Sequence, residues 1–205
     1  MIYLLSDTHF YHKLVKSYRE PNFEQKILRS TLERVKEGDV LYHLGDFSRY
    51  LEDLPGHGLL ETWKVIPARK ILILGNHDVE FEEEEFIFLE DYFDEIVEFH
   101  RTIEYEVNGR AYRVLLTHYP ASDPITKRYR DKQEQVKRLF FEGKHDLLIH
   151  GHIHGAHIGN TCACYKDFRI PCLNVNVEYI DYRPISIEEA IRMAEERYWE
   201  LRQKR

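Results

Sequence analysis

The sequence has few cysteines, no long apolar run and no excess of basic residues. Only three cysteines occur in 205 residues, and a single residue separates Cys162 from Cys164. A disulfide-stabilised secreted scaffold is therefore not expected, and reduced thiols are the simplest interpretation. No apolar run approaches the roughly 20 residues that a membrane span needs. The net charge of −7 counts against a protein that coats nucleic acid.

The N-terminus and the bulk composition are those of an ordinary globular protein. The first residues, MIYLLSDTHF, turn polar too early for a signal peptide. Together with reduced thiols, this predicts a cytoplasmic protein that does not associate with membranes. A hydrophobic content of 43% and a charged content of 32% allow a substantial core. Because no Ser/Gly-rich linker interrupts the chain, we expect residues 1–205 to form a single domain.

Short apolar runs alternate with amphipathic segments along the chain. Six runs have the length and flanks of buried strands: IYLLSD, VLYHLGD, KILILGNHD, YRVLLTHYP, DLLIHGH and LNVNVEY. Helical periodicity covers residues 22–39 and 129–144, and Ser186 and Glu189 have capping-box spacing before a last helix. This alternation predicts an α/β fold with sheet and helix layers.

Five of the predicted strands end in residues that bind metals. These ends read D-T-H from Asp7, then G-D, G-N-H-D, T-H and G-H-I-H. Ligands of open α/β sheets bind beyond the carboxyl ends of the strands, so we expect these side chains to converge. Period-two alternation would also point Asp7 and His9 in one direction. The glycines before Asp46, Asn76 and His152 would allow tight turns.

The residue types narrow the choice of metal. A mixture of Asp, His and Asn is neither the thiolate set of structural zinc nor the all-oxygen set that calcium prefers. It suits Mn²⁺, Fe, Co, Ni or Zn, and the supply is sufficient for two ions. Not every histidine is needed for this site. We interpret His43 as structural, His150 as a core imidazole and His157 as an exposed loop residue.

The order of these motifs resembles the calcineurin-like metallophosphoesterase superfamily. The resemblance runs from Asp7 to about Ser186 and indicates the compact bacterial and phage-type branch. It is carried by the segments SDTHFYH, YHLGDF, LGNHD, THYP, HGHIHG and NVNVEYIDYRPISIEE. It implies a four-layer α-β-β-α sandwich of two mixed sheets, with a two-metal site at the strand ends.

The resemblance also implies a role for each residue of the site. One ion would have four ligands: Asp7, His9, Asp46 and His154. The other ion would also have four: Asp46, Asn76, His118 and His152. Asp46 would thus bridge two ions that generate an attacking hydroxide from a shared water. His77 would be no ligand, but would contact the phosphate or protonate the leaving oxygen. Mn²⁺ is the first candidate metal, followed by Fe, Co, Ni and Zn.

Two further residues are candidate substrate contacts. His12 follows the first ligands closely, and a structural role at the start of a helix is the equal alternative. Arg49 stands where Ser/Thr protein phosphatases of the superfamily carry the Asp that orients the substrate histidine. Protein phosphatase activity is therefore not expected, and Arg49 is either a phosphate contact or a solvated loop residue.

The resemblance implies a metal-dependent phosphoesterase. Because the segments between motifs are short, no cap domain is expected, and hydrolysis of small phosphodiesters is the first hypothesis, with monoesters as a close variant. A nuclease is the second, less favoured because of the negative net charge. A non-catalytic scaffold of the same fold that binds protein partners is the third. Such scaffolds lack the substrate histidine or several ligands, whereas this chain keeps His77 and every expected ligand.

Overall fold

The computed structural model describes residues 1–123, 128–155 and 170–203. The strands in these ranges are β1 (Ile2–Leu5), β2 (Val40–His43), β3 (Arg69–Ile73), β4 (Glu95–Val97), β5 (His100–Val107), β6 (Arg110–Thr117), β7 (Leu147–His150), β8 (Cys172–Asn174) and β9 (Ile185–Ser186). The helices are α1 (Lys13–Lys16), α2 (Phe23–Arg34), α3 (Leu59–Lys64), α4 (Glu83–Leu89), α5 (Arg130–Glu142) and α6 (Ile187–Gln203). A 3₁₀ turn spans Asp78–Glu80.

The strands form two mixed sheets. The first has the order β4-β3-β2-β1-β9, in which β1 to β4 are parallel and β9 is antiparallel to β1. The second has the order β5-β6-β7-β8, in which an antiparallel β5-β6 hairpin precedes two parallel pairings. The prediction of an α/β fold with two mixed sheets is confirmed.

The inner strands of the second sheet, β6 and β7, are buried on both faces along most of their length. Val114 and Leu116 of β6 belong to the main core, which also contains Leu4 of β1 and Trp63 of α3. Between them, Leu115 points to the other face and packs with residues of α5 in a smaller cluster. Strands buried on both sides have no polar face, which is why these segments read as continuous apolar runs.

Local sequence signals coincide with the ends of several elements. Asn108 and Gly109 connect β5 to β6 with φ of 51° and 80°, the left-handed values that a tight hairpin requires. Before α6, the backbone N–H of Ser186 donates to Glu189 Oε2, and that of Glu189 donates to Ser186 Oγ, as in a capping box. Within the described ranges, no helix combines the length and hydropathy needed to span a bilayer.

The cysteines differ from the expectation. Cys172 on β8 is 1% exposed and is disulfide-bonded, so the prediction of three reduced thiols is wrong for this residue. Cys162 and Cys164 lie outside the described residues. Disulfide formation depends on the distance between Cα atoms, which the spacing of cysteines along a chain does not reveal.

Candidate metal centre

The predicted ligands converge at the carboxyl ends of strands from both sheets. Asp7, Asp46 and Asn76 follow β1, β2 and β3, whereas His118 and His152 follow β6 and β7. Parallel strands end at the same edge of a sheet, so this convergence follows directly from the topology. All seven predicted ligands lie in this one region, in two clusters of side chains.

The first cluster contains four residues: Asp7, His9, Asp46 and His154. One potential ligand atom from each lies within 4.8 Å of all the others. His154 Nε2 is 3.2 Å from His9 Nε2 and 3.3 Å from Asp7 Oδ1. Two imidazole nitrogens and two carboxylates that converge in this way are a donor set that fits a divalent transition metal.

The second cluster adds three residues on the other side of Asp46: Asn76, His118 and His152. Asn76 Oδ1 lies 3.2 Å from His118 Nε2 and 2.9 Å from His152 Nδ1. The two imidazole nitrogens are 3.1 Å apart. Burial lowers the pKa of His118 to about 4 and that of His152 to about 3, so both rings are neutral near pH 7. Neutral imidazoles are the form that binds metals.

Asp46 is common to both clusters. Its Oδ2 is 3.5 Å from His9 Nε2, and its Oδ1 is 3.6 Å from His118 Nε2. The pKa of Asp46 is raised well above its ordinary value, first by burial and then by the charges of Asp7 and Asp78. Burial of an anion beside other anions is unfavourable unless cations compensate it. This environment therefore fits a carboxylate that bridges metal ions.

His154 is anchored by charged partners that the sequence analysis did not identify. Its Nδ1 is 2.9 Å from Glu178 Oε1, which also accepts a hydrogen bond from Arg19 Nε at 2.8 Å. The Arg19 side chain is fully buried and donates to the backbone carbonyls of Asp7 and Thr8. Burial would lower the pKa of His154, but hydrogen bonds to Asp7 and Glu178 raise it to about 9. A carboxylate on the outer nitrogen directs Nε2 toward the first cluster.

In the second cluster His118 has a backbone anchor, and the outer nitrogen of His152, Nε2, lies 4.0 Å from the buried Asp123 Oδ2. His118 Nδ1 lies 2.7 Å from the carbonyl oxygen of Leu44, which leaves Nε2 directed at Asn76. Asp78, the last residue of the G-N-H-D motif, is buried. It accepts backbone hydrogen bonds from Asp46, Phe47 and Gly75 at 2.7–2.9 Å. Asp78 thus fixes the loops after β2 and β3 against each other.

The ligand-bearing loops are backbone-strained. Four predicted ligands have left-handed φ values: Asp7 (57°), His9 (48°), Asp46 (58°) and His152 (72°). Such values cost roughly 1 kcal/mol or more for a residue with a side chain and persist where the surroundings enforce them. Asp7 and His9 lie beyond the end of β1, so strand alternation does not orient them, and that part of the prediction is wrong. Turns, not the pleat, bring these two side chains together.

Two glycines make room for the ligands. A Cβ on Gly75 would overlap the carboxylate of Asp46, and one on Gly151 would overlap Asp7 Oδ2 and Ser6 Oγ. The prediction attributed these glycines to tight turns. The structure shows a second reason, because neighbouring loops approach them more closely than any side chain permits.

His77 and His12 lie beside the first cluster without joining it. The ring centroids of His77 and His12 are 5.3 Å and 5.2 Å from that of His9. His77 Nδ1 is 3.0 Å from Glu80 Oε2, so a glutamate three residues further on orients this ring. Burial, followed by the charges of His77 and Arg49, lowers the pKa of His12. Arg49 is exposed at the same opening of the site.

Three histidines were predicted to lie outside the metal site. Two of them belong to the described residues, and both are buried, which fits the structural and core roles predicted for them. His43 is buried and its Nε2 lies 3.0 Å from Thr8 Oγ1, behind the ligands. His150 is buried in β7, with Nδ1 2.7 Å from the carbonyl oxygen of Gly151. His157 lies outside the described residues.

Comparison with known proteins agrees with the site. The calcineurin-like phosphoesterase superfamily domain matches residues 1–170, and the chain belongs to this family. An uncharacterized protein of Methanocaldococcus jannaschii is 29% identical over 200 residues, which cover 95% of this chain and 91% of that protein. The crystal structure of a protein of unknown function from Aquifex aeolicus is 47% identical, with a TM-score of 0.80, and covers 94% of this chain and 98% of its own.

A novel archaeal phosphodiesterase is a more distant structural match. It is 18% identical, with a TM-score of 0.43, and the match covers 85% of this chain and 82% of that one. Family membership identifies the protein as a phosphoesterase-type hydrolase that uses divalent metal ions. The first cluster supplies suitable ligands for such an ion.

Proposed function

We propose that the protein hydrolyses phosphodiesters with two divalent ions, one in each cluster, bridged by Asp46. The observation that carries this proposal is the position of the Asp46 carboxylate. One oxygen faces His9 in the first cluster, and the other faces His118 in the second, at 3.5 Å and 3.6 Å. A carboxylate in this position can bind two ions at once, one through each oxygen.

The ligand types support Mn²⁺ as the first candidate for both positions. The clusters offer carboxylate, amide and imidazole donors, and no thiolate takes part among the described residues. Mixed oxygen and nitrogen ligands suit Mn²⁺ as well as Fe, Co, Ni and Zn. When bound, two such ions would polarise the phosphoryl oxygens and lower the pKa of a shared water that supplies the nucleophile.

The protein's own residues have separate tasks in this reaction. His77 lies beside the first cluster with Glu80 on Nδ1, so its Nε2 is available to protonate the leaving oxygen. His12 and Arg49 lie at the opening of the site and are positioned to contact the phosphoryl group. A protonated leaving group departs as a neutral alcohol, which lowers the barrier for poor leaving groups.

The charge of the site supports a diester over a monoester. Arg19 is a buried guanidinium 3.5 Å from His154 Nδ1, but it is paired with Glu178 and with backbone carbonyls. Its charge is therefore already compensated, which leaves exposed Arg49 as the cationic side chain proposed to meet the substrate. A phosphodiester carries one negative charge, whereas a monoester carries about two at neutral pH. A singly charged substrate suits the exposed arginine that the described residues place near His12, Arg49.

Hydrolysis by metal-stripped protein, with and without restored Mn²⁺, tests the proposal. Bis(p-nitrophenyl) phosphate and p-nitrophenyl phosphate serve as the diester and the monoester. We expect activity only with metal, a larger kcat/KM for the diester, and a loss in kcat for His77→Ala that is small on these activated esters but reaches roughly 10²–10⁴-fold on diphenyl phosphate, which has a poorer leaving group. His57→Ala, at an exposed histidine outside the site, is the control. Metal-independent hydrolysis, or full activity of His77→Ala on diphenyl phosphate with metal bound, would contradict the proposal.

A further inference from the structure

A cavity of about 570 Å³ adjoins the first cluster and has no role in the mechanism above. Three tyrosines line it, Tyr18, Tyr179 and Tyr182, together with His154 and the Arg19–Glu178 ion pair. We refer to it as the tyrosine cavity. Three aromatic side chains around one opening beside a catalytic centre require an explanation, because tyrosine rings exposed together form a ready binding surface.

The cavity begins one imidazole ring away from the proposed metal ions. His154 Nε2 lies 3.3 Å from Asp7 Oδ1 within the first cluster. On the opposite side of the same ring, Nδ1 lies 2.9 Å from Glu178 Oε1 and 3.3 Å from the Tyr18 hydroxyl, and both of these residues line the cavity. A group attached to a phosphoryl unit bound at the ions therefore reaches the cavity past one edge of His154.

The charged groups of the cavity are already compensated. Glu178 receives hydrogen bonds from Arg19, from the backbone N–H of Gly155 at 3.0 Å and, on Oε1, contacts His154. Arg19 also donates to two backbone carbonyls. Neither charge is left to bind a second phosphate or a charged substituent.

The tyrosines offer neutral aromatic surface. Phenol side chains are uncharged at neutral pH, because their ordinary pKa is about 10. The Tyr179 hydroxyl donates to the carbonyl oxygen of Gly155, which fixes that ring at the rim. Tyr18 is 52% exposed and presents its ring to a ligand. Neutral rings favour an aromatic partner through offset or edge-to-face stacking.

The position of His77 determines which of the two substituents of a phosphodiester lies in the tyrosine cavity. His77 does not line the cavity, and its ring lies against His9 and His12. The leaving oxygen must face the group that protonates it. The substituent in the cavity is therefore the one that stays on phosphorus after hydrolysis.

We propose that the tyrosine cavity binds an uncharged aromatic ring on the retained substituent of a phosphodiester. This inference rests on the proposed phosphodiesterase function and deepens it by specifying the substrate class. It also gives a reason for a diester preference, since a monoester has no retained substituent to fill the cavity.

Three diesters with the same leaving group test this inference. Bis(p-nitrophenyl) phosphate, thymidine 5′-(p-nitrophenyl) phosphate and methyl p-nitrophenyl phosphate all release p-nitrophenol, but retain an aryl, a nucleosidyl or a methyl group. In Tyr18→Ala we expect kcat/KM to fall about tenfold for the diester whose retained ring stacks in the cavity, and to stay unchanged for the methyl ester. Comparison of bis(p-nitrophenyl) phosphate with the thymidine ester shows whether the cavity binds a simple aryl ring or a nucleobase.

Two variants separate stacking from other effects. Tyr18→Phe keeps the ring but removes the hydroxyl near His154, so it retains activity if stacking is responsible. Tyr50→Ala removes a tyrosine of comparable exposure, 45%, that does not line the cavity, and leaves all three rates unchanged. An equal loss on all three diesters in Tyr18→Ala would overturn the inference, as would unchanged rates on all three.

Binding without turnover gives an independent measurement. Phenylphosphonate and methylphosphonate cannot be hydrolysed, and calorimetry with the Mn²⁺-loaded protein compares their affinities. We expect phenylphosphonate to bind about tenfold more tightly, and this difference to disappear in Tyr18→Ala. Equal affinities in the wild type would overturn the inference while diester hydrolysis still upheld the proposed function. A wild-type protein that hydrolyses none of the diesters with any divalent ion would overturn both.

Discussion

The two ligand clusters share Asp46 but are held in place by different physical means. In the first, His154 is fixed by Glu178 and the buried Arg19, both charged. In the second, His118 is fixed by the carbonyl oxygen of Leu44, and Asn76 contributes a neutral amide. The pKa of His154 is raised to about 9, whereas that of His118 is lowered to about 4.

With one ion in each cluster, as proposed, this difference predicts unequal affinities for the two cations. The first cluster has its own carboxylate, Asp7, in addition to Asp46, and a third carboxylate supports His154. In the second cluster Asp46 is the carboxylate among the ligands, and Asp123 Oδ2 lies 4.0 Å from His152 Nε2, farther than Glu178 lies from His154. Because metal affinity increases with the number of anionic ligands, we expect the first ion to bind more tightly and the second to be removed first by a chelator.

Removal of the shared carboxylate should have the largest effect. Asp46→Asn keeps the shape of the side chain but removes one negative charge from both clusters. We expect kcat to fall by roughly 10³-fold or more, with weaker binding of both ions. Activity assays and metal analysis after dialysis against limiting Mn²⁺ check this. Loss of only one ion in Asp46→Asn would show that the carboxylate does not bridge.

Substitutions specific to one cluster should separate the two ions. Glu178→Gln removes the charged partner of His154 and is expected to weaken the first ion by about 10- to 100-fold. Asn76→Ala removes a ligand of the second cluster and should weaken only the second ion. Calorimetric titration with Mn²⁺ resolves two binding events if this is correct. If either variant weakened both ions equally, the clusters would not be independent in the way proposed.

The pH dependence of metal binding should also differ between the clusters. With a pKa of about 9, His154 is protonated at pH 7 and must lose this proton to bind an ion. Affinity for the first ion should therefore fall by up to about tenfold per unit as the pH drops below about 9. His118 and His152, with pKa values of about 4 and 3, are already neutral and add no such dependence. Protonation of Asp46 would weaken the binding of both ions. The difference between the pH dependences of the two affinities therefore reports the protonation of His154.

The smallest expected effect concerns Glu80, which touches neither cluster. The His77–Glu80 contact is 3.0 Å long, and the two side chains are 37% and 45% exposed. Because a solvated pair of this kind orients a ring only weakly, Glu80→Gln should lower kcat by about 3- to 10-fold without changing metal affinity. Glu84→Gln, an exposed neighbour with the same change of charge, is the control. Identical rates in both variants would show that Glu80 does not position His77.

The sequence was sufficient to predict the sheets and the convergence of the ligands. Apolar runs identified the strands, and the rule that ligands bind beyond the carboxyl ends of strands placed Asp7, Asp46 and His118 together. The family resemblance then separated His77 from the ligands. The strands and the convergence could be predicted because they depend on local pattern and topology, which are encoded in the spacing of residues along the chain, whereas the role of His77 stays a prediction.

The partners that orient the ligands could not be predicted in this way. Glu178 and Arg19 are 159 residues apart, and nothing in their local sequence shows that they meet. Asp78 was visible in the G-N-H-D motif, but its three backbone hydrogen bonds depend on two loops from different strands. Left-handed turns at Asp7 and His9 were missed because non-glycine residues rarely adopt them.

The close contacts at Gly75 and Gly151 have a consequence for engineering the enzyme. Each position faces a ligand carboxylate without room for a methyl group, so almost every codon change there would displace the ligand and lower the yield of active clones. Mutant libraries that aim at a new substrate range should leave these two codons fixed. Diversity placed at Tyr18 and Arg49, which are exposed at the rim, would explore specificity while preserving the interior on which all variants depend.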